Sequence, residues 1–385
     1  MIPNPSHPVD PDLTPRARAL FDALHRVSGE FTMLGHQDDT FSAHARERDG
    51  SGSPTDSDVL AVAGAYPAVW GFDLGRIELG WSVNIDGVPF DDIRREMRRA
   101  YAMGAVVTAS WHAVNPVTGG GYGENTAPGS VAAVLHGGDR HGEFLGWLRR
   151  VAAFLGSVTD EHGEPIPVVF RPYHEHTGDW FWWCVGSPLR PTDTGAGRYA
   201  ELWRMTVGYL RDECGVHNVL YAYAPDRSRI DMATPASREH GYLFGYPGDG
   251  YIDVLGVDDY WDFGRGDPPA TPRDRHADLV DILTLVGRLA AEHGKLAAAT
   301  EIGSPGAFAA ESAEPWSGYL LSALTANDDA RRMLWCLPWR NSADAVGTTA
   351  YGTPAPDSPY AADFRAFVRD GAIRLADTLP PLYSR

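Results

Sequence analysis

Cysteine is scarce in this chain: Cys184, Cys214 and Cys336 are the three among 385 residues. The count is odd, the spacings are wide and no CxxC pair exists, which excludes a disulfide framework or a zinc ribbon. Cys214 and Cys336 sit in apolar stretches and read as core thiols. Long apolar runs are missing too, since no window approaches the ~18 residues of a membrane-spanning helix. Positive charge is in deficit, with 33 Lys and Arg against 51 Asp and Glu, a net charge of −18. Such a field repels phosphate backbones and anionic lipid, so neither nucleic acid nor membrane is expected as a partner and a neutral ligand fits better. The opening MIPNPSHPVDPDLTPRARAL lacks the basic-then-apolar order of a signal peptide. The expectation is a cytoplasmic protein, or a secreted one if a leader was removed before residue 1. There is no internal repeat and no low-complexity stretch.

What is present is an alternation of short apolar strands with amphipathic helices. Strands are expected over Phe31–Leu34, Pro67–Asp73, Ala105–Trp111, Pro167–Tyr173, Asn218–Tyr223, Ile252–Val257, Lys295–Thr300 and Arg332–Leu337. Helices are expected over Pro15–Val27, Asp91–Met103, Glu143–Leu155, Arg198–Glu213, Ala277–Glu292 and Tyr360–Arg369. Strand–helix alternation implies parallel βαβ units, and eight of them close a (β/α)8 TIM barrel. A doubly wound open sheet would carry a Gly-rich phosphate turn after its first strand, and Gly35-His36-Gln37-Asp38-Asp39 is not one. The expected organisation is one α/β catalytic barrel over residues 31–385. Residues 1–30 form an N-terminal segment whose helix covers the barrel bottom or side.

Polar chemistry gathers at the carboxyl ends of the strands, where barrel active sites are built. Strand three ends in Trp111-His112, strand four in His174-Glu175, strand six in Asp258-Asp259-Tyr260, strand seven in Glu301 and strand eight in Trp339-Arg340. Alternation along strand four puts Arg171, Tyr173 and Glu175 on one face. A guanidinium inside a barrel needs an anionic partner, and a carboxylate from a neighbouring strand end is the natural one. Along strand seven, alternation groups Ala297, Ala299 and Glu301, leaving room below Glu301. Glu175 and Glu301 would then face each other across the mouth. Two carboxyl groups flanking a sugar are what glycoside hydrolysis requires, one protonated to assist the leaving oxygen and one ionised to attack. Each Glu taken alone could equally be an ion-pair partner in the fold. Their shared position at strand ends, with Glu175 among histidines and aromatics, favours catalysis.

Trp180-Phe181-Trp182-Trp183 follow Glu175 in one loop. Indoles suit the C–H faces of pyranoses, and they also suit a core. Trp180 is expected to touch sugar, whereas for Trp182 and Trp183 the two readings stand level. His112 lies on the inward face with Ser110 and Thr108, before Asn115-Pro116 and a glycine loop, which favours substrate binding over a core role. His174-Glu175-His176 could suggest a metal, but strand neighbours point apart and no HExxH helix is present, so no metal and no cofactor are expected. Asp73, at the end of strand two, reads as a site residue or a loop cap.

These residues carry a resemblance. Arg171-Pro172-Tyr173-His174-Glu175 with Gly178 and Trp180 resembles the acid/base motif of glycoside hydrolase family 26. Thr300-Glu301-Ile302-Gly303 resembles its nucleophile segment. Gly35-His36-Gln37, Trp111-His112-Ala113-Val114-Asn115-Pro116 and Trp339-Arg340-Asn341 also match, so the resemblance runs from about residue 31 to past residue 360. It implies a β-mannanase of a retaining barrel clan, with Glu175 as acid/base and Glu301 as nucleophile. It also implies that His112, His174 and Trp180 line the cleavage subsite. Tyr260 would hydrogen-bond the nucleophile with Asp258 beside it, Trp339 would lie under the sugar being cleaved, and Arg340 further out on the glycone side. His176-Thr177 stands where many members carry Met or Asn, which bears on leaving-group contacts.

The expected function is therefore retaining hydrolysis of β-1,4-mannosidic linkages in a neutral polysaccharide or oligosaccharide. The same chemistry on another neutral β-glycan is the nearest rival; a non-catalytic sugar-binding barrel and a metal-dependent hydrolase are further ones. Loops 119–125, 225–229 and 304–314 would govern endo or exo action and tolerance of branches.

Overall fold

In a computed structural model the described residues are 7–41, 57–125, 127–265, 274–303, 312–341 and 352–384. Most of loop 304–314 lies outside them. Eight parallel strands form a closed barrel: β1 (Thr32–Gln37), β2 (Val69–Asp73), β3 (Val106–Trp111), β4 (Val168–Pro172), β5 (Val219–Tyr223), β6 (Val254–Asp259), β7 (Leu296–Ile302) and β8 (Met333–Pro338). β1 closes it by pairing with β8 through Met33–Trp335 and Leu34–Cys336. Ile373–Arg374 adds a short parallel strand beside β1, which sequence patterning does not anticipate.

The main helices are α1 (Pro15–Val27), α2 (Asp58–Ala63), α3 (Phe90–Ala102), α4 (His141–Ser157), α5 (Gly195–Gly208), α6 (Pro235–Tyr242), α7 (Arg275–His293), α8 (Leu321–Leu324) and α9 (Ala361–Arg369). Each of the longer ones buries a stripe of apolar residues at helical spacing. α3 buries Ile93, Met97 and Ala100 and opens on Asp91 and Asp92, which complement its dipole. The helix expected to reach Glu213 leaves α geometry at Tyr209 and finishes as a π-turn. α2 and α6 are shorter than a periodicity argument resolves.

Two apolar layers follow from strand alternation. Outward residues such as Trp70, Val107, Phe170, Leu255 and Ala299 pack against the helices. Inward residues Met33, Val69, Val106, Val169, Leu220, Val254, Leu296 and Ala298 fill the amino-terminal half of the barrel and join Leu20, Phe21, Leu24 and Val27 of α1 in one cluster. α1 therefore plugs the floor. Thr14 caps it by accepting from Ala17 N at 3.3 Å, and Pro15 occupies its first turn. Burying its leucine and phenylalanine side chains stabilises the fold by about 1.5–3 kcal/mol each. Cys184 and Cys336 are buried, whereas Cys214 is only half-buried, at the end of the π-turn rather than in the core.

Candidate active site

Above the apolar floor the barrel interior turns polar: Asp73, Ser110, Arg171, Asp258 and Thr300 are all buried there. Arg171 donates from Nη1 to Asp258 Oδ2 at 2.7 Å and from Nη2 to Glu301 Oε1. Thr300 Oγ1 donates to the other Asp258 oxygen at 2.6 Å. Burial works against the Arg171 charge, but Asp258 and Glu301 outweigh it and hold its pKa above the ordinary value.

Simple alternation does not bring the two glutamates to the mouth. Tyr173 and Glu175 both adopt positive φ, at 51° and 52°, so β4 ends at Pro172 and its face pattern is broken. Tyr173 points outward, among Trp111, Trp182, Trp183 and Trp203, with its hydroxyl 2.8 Å from Thr206 of α5. It does not share the face of Arg171 and Glu175. The same two turns let consecutive His174 and Glu175 both reach the cleft, while His176 turns away to Tyr223 at 3.0 Å and stacks on Tyr199. Left-handed backbone at residues bearing a Cβ costs roughly 1–2 kcal/mol each, strain of the kind concentrated at functional sites.

Strand seven departs from alternation as well. Ala297 and Ala299 face outward in the helix-side core, not inward beneath Glu301. Val257 pairs with Ala299, but Asp258 pairs with Glu301, so one extra residue is inserted in β7. This bulge turns Thr300 and then Glu301 towards the mouth, the re-aiming that bulges produce beside active sites.

The resulting cleft, about 320 Å³, is lined by Ile85, Asp86, His112, Tyr122, His174, Glu175, Trp180, Phe181, Tyr260, Arg265, Glu301, Trp339 and Arg340. Eight of the ten residues singled out from sequence are in that lining; Arg171 and Asp258 lie behind Glu301. Glu175, Asp258 and Glu301 each present a carboxylate oxygen within 4.8 Å of the others. Glu301 also accepts from Tyr260 Oη at 2.7 Å, and His174 Nε2 is 3.9 Å from it. Burial, with the nearby Glu301 charge adding to it, keeps Tyr260 a phenol and hence a donor. Burial, followed by the Arg171 charge, holds His174 neutral. A cation shared by the three acids would compete with Arg171, which already bonds two of them.

Glu175 is different. Burial, then the negative charges of Asp226 and Glu301, push its pKa well above the usual carboxylate range. Trp180 Nε1 donates to its Oε2 at 2.6 Å. The indole folds back over Gly178, where a Cβ would lie 2.5 Å from the ring, so the motif requires glycine there. Arg229 covers the ring at 5.7 Å from its centroid and pairs with Asp179 at 2.9 Å. Trp180 is half-buried at the cleft, while Trp182 and Trp183 are core residues donating to the carbonyls of Ala113 and His174. For those two tryptophans the packing reading holds.

His112 is oriented by Asp73, whose Oδ2 lies 2.7 Å from Nδ1 and also accepts from Ser110 Oγ at 2.8 Å. Burial opposes protonation of His112, but Asp73 overcomes it and raises its pKa. Asp73 is thus a support of the site that its strand-end position hinted at. Asp86, Tyr122, Arg265 and Asp226 carried no such signal, because loops deliver them. Asp226, buried and pushed up to about 6 by that burial, caps the turn Arg227–Arg229 by accepting from Ser228 N at 2.7 Å. Asp86 pairs with Arg340 at 2.8 Å on the opposite side of the cleft.

Known proteins resemble this chain across most of its length. A mannan endo-1,4-beta-mannosidase of Bifidobacterium adolescentis is 35% identical over 304 residues, 77% of this chain and 28% of that protein. One from Bacillus subtilis is 26% identical, over 61% of this chain and 58% of the relative. The chain thus spans between about a quarter and three fifths of the length of these curated relatives. Among solved structures, a GH26 beta-mannanase from Bacteroides ovatus superposes with a TM-score of 0.82 at 37% identity, covering 97% of this chain and 98% of that one. An endo-beta-1,4-mannanase from Cellulomonas fimi gives 0.82 at 32% identity, covering 99% and 80%. The family model for glycosyl hydrolase family 26 matches residues 9–330. With that match, a closed barrel and both strand-end glutamates in one cleft, the chain belongs to glycosyl hydrolase family 26.

Proposed function

We propose that the chain hydrolyses β-1,4-mannosidic linkages by double displacement with net retention. The observation that carries this reading is the unequal environment of two carboxyl groups in one cleft. Glu301 is held by a guanidinium and a phenol and acts as nucleophile. Glu175 is buried beside other carboxylates, keeps its proton and acts as the acid. Their closest oxygens, within 4.8 Å, suit the roughly 5–5.5 Å separation of retaining enzymes rather than the wider gap that admits a water.

In the first step Glu301 forms a bond to the anomeric carbon as the glycosidic C–O bond breaks, and Glu175 gives its proton to the departing oxygen. Because Oε2 accepts from Trp180, Oε1 carries that proton. In the second step water loses a proton to Glu175 and attacks the anomeric carbon. Glu301 leaves as carboxylate, and the β-anomer is released. Arg171 and Asp258 hold Glu301 from behind. His112 and His174 contact the sugar in the cleavage subsite, Trp339 stacks beneath it, and Arg340 binds further along the glycone. The proposed catalytic unit spans residues 31–385, served by an N-terminal segment of residues 1–30. The proposed substrate is a neutral mannan or manno-oligosaccharide, the class named for the relatives.

Proton NMR of a fresh reaction with a soluble β-1,4-manno-oligosaccharide tests both substrate and stereochemistry. An early β-anomer signal is expected. An early α-anomer would mean inversion and remove Glu301 as nucleophile.

A further inference from the structure

The loop between β2 and α3 has two sides. One reaches the cleft through Ile85 and Asp86, and the Asp86–Arg340 pair joins it to the end of β8. The other carries Trp81, whose residue surface is 52% exposed. A single exposed tryptophan is common on protein surfaces and carries nothing alone. Here its surroundings are built. The Arg76 guanidinium lies 5.0 Å from the indole centroid, covering one face of the ring and leaving the indole presented to solvent. Arg76 Nη1 donates to Asn84 O at 3.2 Å. Asn84 donates to Asp73 O at 3.2 Å and accepts from Asp86 N at 3.0 Å and Val88 N at 2.9 Å. One asparagine therefore ties the Arg76–Trp81 pair to both the His112 support and the cleft wall.

Arg76 also has φ of 78°, in the left-handed region where glycine would sit at lower cost. The position keeps a long cationic side chain against that preference. Its charge is near enough to act on Asp86 and Tyr122, both cleft residues.

We propose that Trp81 and Arg76 form a distal sugar-binding platform that extends the cleft on the Arg340 side. A pyranose of a longer neutral β-linked chain packs its C–H face on the open side of the indole. The guanidinium, with donors beyond the one given to Asn84, meets ring hydroxyls. The inference rests on the proposed mannanase function and adds to it a preference for long chains.

The test compares kcat/KM of the wild type, Trp81→Ala and Trp81→Phe on mannotriose and on mannohexaose. The ratio of the hexaose to the triose value is expected to fall about three- to tenfold in Trp81→Ala, the size of an aromatic stacking contact. Trp81→Phe, which keeps a stacking face, is expected to recover part of it. An unchanged ratio in Trp81→Ala, with the wild type active on both substrates, would overturn the platform and leave the mannanase function standing. No turnover of either substrate by the wild type would instead overturn the function, and the platform with it.

Discussion

The two ends of the barrel are made from the same eight strands and are chemically opposite. The amino end is closed by α1, and its interior is an apolar cluster from Leu20 to Leu337. The carboxyl end holds Arg171, Asp258, Glu301 and Glu175 within bonding or near-bonding reach. Strand geometry is regular below, and it breaks only near the mouth, at Tyr173, Glu175 and the β7 bulge. Regular alternation packs a core efficiently, but it cannot converge side chains from several strands on one sugar. The lower half holds the barrel rigidly closed, which lets the upper half keep left-handed residues and crowded carboxylates.

Mutations at the two ends should therefore separate activity from stability. The largest effect is expected from Glu301→Ala, a loss of more than about a thousandfold in kcat with the fold intact. Activity assay beside circular dichroism checks it, and substantial residual turnover would remove the nucleophile assignment. Glu175→Ala comes next, with about a hundred- to ten-thousandfold loss on natural linkages and far less on aryl mannosides with good leaving groups. Equal losses on both substrate types would argue against the acid role. At the floor, Leu24→Ala should cost about 2–5 kcal/mol of stability in urea unfolding while kcat at ambient temperature stays near that of the wild type. A matching fall in kcat would mean that the two ends are coupled rather than separate.

The smallest expected effect sharpens the electrostatic side of the contrast. Glu175 must be protonated to act, and its folded pKa lies above the ordinary value, so it should set the alkaline limb of the pH–rate profile. Asp226 is the first-named charge raising it. Asp226→Asn removes that charge, so Glu175 should ionise at lower pH and the alkaline limb should move down. A limb that stays put, or moves up, would show that Asp226 does not act on the acid.

Much of this was readable in the sequence because the signals are local. Apolar runs of strand length ending in His112, Glu175, Glu301 or Trp339 announce a barrel with its chemistry on one rim, and α1 is delimited by Thr14, Pro15 and its apolar stripe. Arg171 could be expected to find a carboxylate, since a buried guanidinium cannot stay unpaired. Other contacts are set by backbone departures with no periodic signature. Alternation assigned Tyr173 to the cleft and Ala297 and Ala299 to the space below Glu301, and each faces the opposite way. Trp182 and Trp183 could not be told from Trp180 by residue type, because only position decides whether an indole meets sugar or core.

The sequence by itself determined the number of strands, the rim on which the polar residues would stand and the two glutamates that matter. Those follow from hydrophobic period and residue chemistry, both properties of short stretches of chain. Only the tertiary structure decided that Asp73 aims His112, that Trp180 donates to Glu175, that Asp226 crowds it, and that Asp86 meets Arg340 across the cleft. These are relations between loops whose positions are fixed by barrel closure, and pairwise distance across a closed sheet has no counterpart in linear spacing.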